Sequence, residues 1–230
     1  SAIQLPRFPL TILICTKCKH IQQKEIINQK KLWDNYTYFS GQTSAIEKHF
    51  NDVSKLILKK IKVTKNDLVI DIGSNDGTLL KYFKKKSKVL GIDPARTVAK
   101  YAIKKNKVQT LIKFFDDSSS DLILQKYQCP KVITAFNVFA HTPSMISLVQ
   151  NIKKILHPNG LFIFEAQYVG DVLKNNILGT FFHEHISHHS VASLKKLFQI
   201  HNLKIVDIRR VKIQKGSILG MVAHKESFHK

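Results

Sequence analysis

The chain has 230 residues, 43% of them hydrophobic, enough to bury one core and a small appendage. No apolar run approaches the length of a membrane span, and no basic leader precedes the apolar start "SAIQLPRFPLTILIC", which argues against a spanning helix and a signal peptide. The net charge of +21, from 37 Lys+Arg against 16 Asp+Glu, is scattered lysine with only four arginines. Phosphate readers favour arginine forks interleaved with aromatics, so nucleic-acid binding is disfavoured against a solvated lysine surface, and a small anionic substrate stays compatible. Three cysteines (Cys15, Cys18, Cys129) build no disulfide framework and point to a reducing cytoplasm. The only methionines are Met145 and Met221, so the chain is expected to begin inside a longer protein.

In chain order, "LTILIC" reads as a short strand, followed by the Cys15-Thr-Lys-Cys18 knuckle and the aromatic stretch "WDNYTYFSG". Residues 44–62 place Ile46, Phe50, Val53, Leu56 and Ile57 at helical spacing, with lysines opposite. Alternation then begins. "DLVIDIG" (67–73) is an apolar run suited to a strand buried on both faces, "DGTLLKYFKKK" reads as a helix, and "KVLGID" (88–93) as the next strand. Helices are predicted from Pro94 and from Pro143, each proline in the first turn, with strands at 131–138 and 161–166. Asp116 and Asp117 read as a turn. The stretch "FFHEHISHH" is open between a metal site, a catalytic base and a polar helix start; after it Ser190 is placed to cap a helix, and two strands close the chain. The pattern implies an α/β fold with a mostly parallel sheet and helices on both faces. Residues 1–42 form a lid-like segment and 43–230 the main domain.

The loop "VIDIGSNDGTLL" carries the first chemical signal. In doubly wound sheets the first strand–helix turn cradles the ligand, and Gly73 and Gly77 allow close backbone approach there. A dinucleotide fingerprint is absent: the loop reads Gly73-Ser74-Asn75-Asp76-Gly77, with Asp71 before it. Acids facing a pyrophosphate would repel it, whereas facing a sulfonium and an ammonium they attract. Asp93 ends the second strand, where a carboxylate can accept from ribose hydroxyls, and Asn137 would border the same cleft. Residues 60–165 thus resemble the class I S-adenosylmethionine (SAM) methyltransferases, which implies a Rossmann-like, seven-stranded sheet and SAM as cofactor.

The acceptor is narrowed by absences. Amino-group nucleic-acid methyltransferases carry [ND]-P-P-[YF] after the fourth strand, where this chain has "FNVFAH", and the cytosine-type Pro-Cys is reversed in Cys129-Pro130. The histidine run is no zincin site either. H-E-x-x-H from His183-Glu184 would need histidine at Ser187, and His185/His189 have the right spacing with the Glu misplaced.

The C-x-x-C knuckle, "NYTYFSGQTS", "DIGSNDGTLL", "GIDPA", "FNVFAHT", "FEAQYVGDVLKNN", "FFHEHISHHSVASL" and "KGSILG" occur in an order that resembles the sugar C-methyltransferases acting on nucleoside-diphosphate keto-sugars. The resemblance implies His185 as the base that removes a C–H proton beside the ketone, with Glu184 polarising a hydroxyl or orienting the base. It implies Tyr36 and Tyr38 as donors to the sugar or enolate oxygen. Ala140 and His141 join the SAM-binding set, His141 alternatively capping the next helix. His183, His188 and His189 read as solvated or capping residues, and the tyrosines alternatively as core aromatics. The family's zinc segment uses two C-x-x-C pairs. Cys15 and Cys18 supply one, with His20 as a possible third ligand or a completing pair upstream of residue 1. Phe182 stands where the family has tyrosine. The family's second α/β domain would follow the Gly-Ser turn, but the chain ends at Lys230, which implies a truncated piece or a minimal enzyme with another acceptor. O- or N-methylation of another small molecule, and an RNA-binding module on a methyltransferase fold, remain alternatives.

Overall fold

A computed structural model describes residues 7–28, 32–33, 36–213 and 216–229. The N-terminal apolar run yields strand β1 (Ile12–Ile14), paired antiparallel with β2 (Ile21–Gln23). Helix α1 (Ser44–Lys60) buries Phe50, Val53 and Ile57 on one face and ends in Lys59 and Lys60, where cations complement the helix dipole. Then come β3 (Leu68–Ile72), β4 (Lys88–Ile92), α2 (Arg96–Lys104), β5 (Thr110–Leu111), α3 (Asp117–Lys126), β6 (Val132–Phe136), α4 (Met145–Ile155) and β7 (Leu161–Gln167). The chain closes through α5 (Val169–Lys174), β8 (Ser187–His188), α6 (Val191–Ile200), β9 (Leu203–Val211) and β10 (Ser217–His224).

The main sheet runs β5-β4-β3-β6-β7-β10-β9. Its first five strands are parallel, and β10 is antiparallel to both neighbours. Alternate residues of each strand serve opposite faces. Phe162 and Phe164 of β7 join Leu148, Ile152, Leu194 and Phe198 from α4 and α6, while Leu161 and Ile163 meet Phe50, Val53 and Ile57 of α1. The expected Rossmann-like α/β architecture, a mostly parallel seven-stranded sheet with helices on both faces, is therefore present. A second, three-stranded sheet of order β1-β2-β8 ties the N-terminal segment to the histidine-rich stretch.

Several local expectations are corrected. Residues 76–86 form turns and a single 3₁₀ turn (Leu80–Tyr82) rather than a helix. Gly77 sits at φ +76°, where a Cβ would come within 3.0 Å of Val108, and Asp76 Oδ1 accepts from Thr78 N–H. This Asx-type bond and the left-handed residue interrupt helix initiation, and burial of Leu79, Leu80 and Phe83 compensates. The histidine run is a turn leading into β8, not a helix start, although Ser190 caps α6 through a reciprocal capping box with Ser193. Asp116 likewise caps a helix, α3, where the sequence suggested only a turn. Pro94 and Pro143 stand just ahead of the N-cap residues Ala95 and Ser144 rather than inside the first turn.

Candidate active site

A cavity of about 440 Å³ opens at the carboxyl ends of β3, β4, β6 and β7. Strand ends are where a parallel sheet delivers functional groups, because the loops that follow them diverge to opposite faces. Of the residues singled out in the sequence, Tyr36, Tyr38, Asp71, Gly73, Ser74, Asn75, Asp93, Asn137, Ala140, His141, Glu184 and His185 all line it. Asp76, Gly77, Cys15 and Cys18 do not.

The loop after β3 owes its shape to Gly73 (φ +67°), Asn75 (φ +49°) and Gly77 (φ +76°). A Cβ on Gly73 would fall 2.6 Å from Val138 Cγ2, so a side chain there would close the cradle. Asp93 Oδ2 accepts from Asn75 N–H and Oδ1 from Ala95 N–H, both at 2.8 Å, which fixes the carboxylate and leaves each oxygen a further lone pair. Burial pushes its pKa up to about 6, partly offset by those two bonds. Asp71 accepts from Thr134 Oγ1 at 2.6 Å and is pushed up to about 7, by burial first, against the opposing Thr134 bond, and then by the charge of Asp93. The hydroxyl of Ser74 lies buried without a partner beside them. Two buried acids disfavoured as anions, a pair of glycines and an unpaired hydroxyl suit a ligand that brings a cation and hydroxyls of its own. SAM fits that donor set.

Asp76 and Asn75 clasp the aromatic segment onto this loop. Asn75 Oδ1 accepts from Ser40 N–H and its Nδ2 donates to the Tyr38 carbonyl, while Asp76 Oδ2 accepts from Gly41 N–H at 2.8 Å. Gly41 has no room for a side chain: a Cβ would sit 2.5 Å from Thr78 Oγ1. The clasp sets Tyr36 over the cavity, its ring 4.7 Å from Trp33 and 6.4 Å from Tyr38. Burial, then the charges of Asp93 and Glu184, push the Tyr36 phenol up to about 12, so it stays a neutral donor. Tyr38 is 45% exposed.

Opposite the tyrosines lie two imidazoles, His141 and His185, with ring centroids 4.9 Å apart. His141 Nδ1 donates to the Glu184 carbonyl and His185 Nδ1 to that of Thr180, both at 2.9 Å. A carbonyl only accepts, so both Nδ1 atoms carry the proton and each Nε2 keeps its lone pair. Burial, and the nearby His185, hold His141 down to about 4, and burial also lowers His185, against the Thr180 bond. Both rings are therefore neutral near pH 7, each with an Nε2 lone pair. His141 caps no helix, since Ser144 serves α4. His188 and His189 are buried rather than solvated, and His183 Nε2 meets the Phe8 carbonyl at 3.1 Å.

Several lining residues carried a signal that the sequence reading passed over. Trp33 stood within the aromatic stretch. His49 is at helical spacing with Ile46, Phe50 and Val53 on the inward face of α1, and Glu165 is an acid inside the otherwise apolar "LFIFEA". Gln23 had no such signal. From β2 its Nε2 donates to the carbonyls of Phe182 and His185, holding the turn that presents His185.

Cys15 and Cys18 lie in the turn between β1 and β2. The backbone N–H groups of Cys18 and Lys17 lower the Cys15 thiol. His20 is turned away from them, 3.3 Å from Ser187 Oγ and packed on His189. Among the described residues no group of three or more His, Cys, Asp or Glu side chains could hold a metal ion. Two thiolates do not close a tetrahedral zinc site. Nor, among the described residues, is any helix long and apolar enough to cross a membrane.

A family model described as a methyltransferase domain matches residues 46–208. The chain is 31% identical over 223 residues to the C-methyltransferase NovU of Streptomyces niveus, covering 96% of this chain and 53% of that protein, so it spans about half the length of this curated relative. Among solved structures it is similar to a SAM-dependent methyltransferase from Anabaena variabilis (TM-score 0.68, 15% identity, 88% of this chain and 98% of that one). It is also similar to the magnesium protoporphyrin IX methyltransferase of Synechocystis with bound S-adenosylhomocysteine (TM-score 0.60, 12% identity, 85% and 91%).

Proposed function

The chain belongs to the methyltransferase domain family and carries a SAM-dependent methyltransferase fold, and from that premise we propose that it methylates a carbon next to the ketone of a nucleoside-diphosphate keto-sugar. The observation that carries this reading is the meeting, in one cavity, of the glycine loop, two Nδ1-protonated imidazoles and the phenol of Tyr36. The 31% identity to a C-methyltransferase supports it.

When bound, SAM supplies an electrophilic methyl group on a sulfonium. The chain's residues prepare the acceptor. His185 Nε2 takes the proton from the carbon beside the ketone, and its electron pair moves to the carbonyl oxygen, giving an enolate. A neutral imidazole with a free Nε2 lone pair is suited to this, a contribution of roughly 10²–10⁴-fold. Tyr36, kept neutral by its raised pKa, donates to the developing oxyanion, and Tyr38 lies beside it. Thr180 fixes the His185 tautomer, and Glu184, whose carbonyl anchors His141, contacts a substrate hydroxyl through its side chain. Phe182, its ring 4.1 Å from that of His185, gives the base an apolar wall in place of a hydroxyl.

In this reading residues 1–42 act as a lid and zinc-knuckle segment on the domain of residues 43–230, and zinc at Cys15 and Cys18 would need donors beyond those described. Three cysteines outside any disulfide support a cytoplasmic setting. The test is methyl transfer from labelled SAM to a panel of nucleoside-diphosphate 4-keto-sugars and to structured RNA. Label on a sugar carbon, lost in His185→Gln while S-adenosylhomocysteine still binds, is expected. Label on oxygen, nitrogen or RNA would overturn the reading.

A further inference from the structure

Glu165 is an acid in the middle of a buried strand. It is 0% exposed, stands in register with Phe136 of β6 and Leu219 of β10, and its neighbours Phe164 and Ala166 belong to the core. A carboxylate in such a place costs several kcal/mol unless it is partnered. Its partner is His49 of α1, whose Nε2 lies 2.5 Å from Glu165 Oε2. The ring of His49 is 6.5 Å from that of Phe136, and both His49 and Glu165 line the cavity. The pair is 116 residues apart in sequence and has no part in the proton transfer assigned to His185.

Two features define what the pair can receive. The carboxylate accepts, so Nε2–H donates to it, and in the neutral ring Nδ1 keeps a lone pair that no described residue meets. Glu165 Oε1 is also buried without a donor. With the ring neutral and the carboxylate ionised, the dyad presents two unmet acceptors and a net negative charge, and its proper guest is a cation rich in N–H donors. No lysine or arginine is among the described residues lining the cavity. The position is informative as well. Helix α1 issues directly from the Ser40–Gln42 turn that is bonded to Asn75 and Asp76, so His49 is carried on the element that packs over the glycine loop. Across the sheet edge, Asp93 on the β4 side and Glu165 on β7 flank that loop from opposite sides. Asp93, His49 and Glu165 line one cavity, so a ligand held by its ribose at Asp93 would extend across the glycine loop toward the dyad.

We propose that the His49–Glu165 dyad is the receptor for the ammonium group of the amino-acid end of SAM. Nδ1 of His49 accepts one N–H, and the carboxylate behind it supplies the charge that a lone imidazole lacks. The proposal rests on SAM alone and is independent of the acceptor, so a failure of the sugar reading leaves it standing.

The test is calorimetric binding of S-adenosylhomocysteine and of its deaminated analogue, which keeps the adenosine, thioether and carboxylate, to the protein and to its His49→Ala and Glu165→Gln variants. The unchanged protein is expected to prefer S-adenosylhomocysteine, and each variant to cut that preference roughly tenfold, the scale of a hydrogen bond to a charged group. The deaminated analogue, bound with nearly unchanged affinity, reports that each variant is folded. A preference that survives both substitutions overturns the proposal, whether both ligands bind as before or weaken together. The first of those outcomes would assign the dyad to the acceptor.

Discussion

Replacing Asp71 by asparagine should stabilise the ligand-free protein, and the gain should grow with pH. Asp71 is buried, and its pKa is pushed up to about 7 from the ordinary carboxylate value of about 4, chiefly by loss of hydration. The native state therefore holds a proton on Asp71 that the unfolded chain releases near pH 4. For a group raised in this way, stability is fully present below the unfolded pKa and is lost as pH rises through the folded one. Each unit between those two values costs about 1.4 kcal/mol, so the penalty approaches about 4 kcal/mol by pH 8 if the whole shift is expressed. Asparagine is nearly the same shape, and its Oδ1 can keep the bond from Thr134 Oγ1. Recovering even half of the penalty, about 2 kcal/mol, would raise Tm by roughly 4–8 °C for a chain of this size. Thermal unfolding of both proteins from pH 4.5 to 8 measures this directly. The gap should widen up to about pH 7 and then level off. A gap independent of pH, or an Asp71→Asn variant no more stable at pH 8, would refute the reasoning.

Two further perturbations separate positioning from chemistry. Gln23→Leu removes both donors from Gln23 to the Phe182 and His185 carbonyls, so kcat should fall roughly tenfold or more while S-adenosylhomocysteine affinity stays within about twofold. Steady-state kinetics beside calorimetry shows whether that split occurs. Tyr36→Phe should lower kcat by roughly 10²-fold, the scale of removing one donor from an oxyanion site. Since the phenol is pushed up to about 12, the pH–rate profile of the unchanged protein should show no alkaline limb from Tyr36 below pH 11, and a limb near 10 that vanishes in the variant would contradict it.

What the sequence determined by itself is what adjacent residues dictate. The apolar run 67–73 declares a doubly covered strand, and β3 is buried at every position. Gly73 and Gly77 declare positive φ, and Asp93 at a strand end declares a carboxylate on the cleft rim, because these demands concern a residue and its immediate neighbours. Local pattern failed where a local demand met a tertiary one. "DGTLLKYFKKK" has helical composition, but seating Leu79, Leu80 and Phe83 in the core while Asp76 grips both Gly41 and Thr78 leaves room for only one 3₁₀ turn.

The assembly of the candidate site was decided by the tertiary structure. Tyr38 meets Asn75 across 37 residues, Gln23 holds the His185 turn across 162, and His49 finds Glu165 across 116. No periodicity encodes such pairs. A lone acid in an apolar strand announces that it needs a partner, but which residue answers depends on the helix that packs above it. That choice is made by the burial of Phe50, Val53 and Ile57, which orient α1 and carry His49 to the cavity as a consequence.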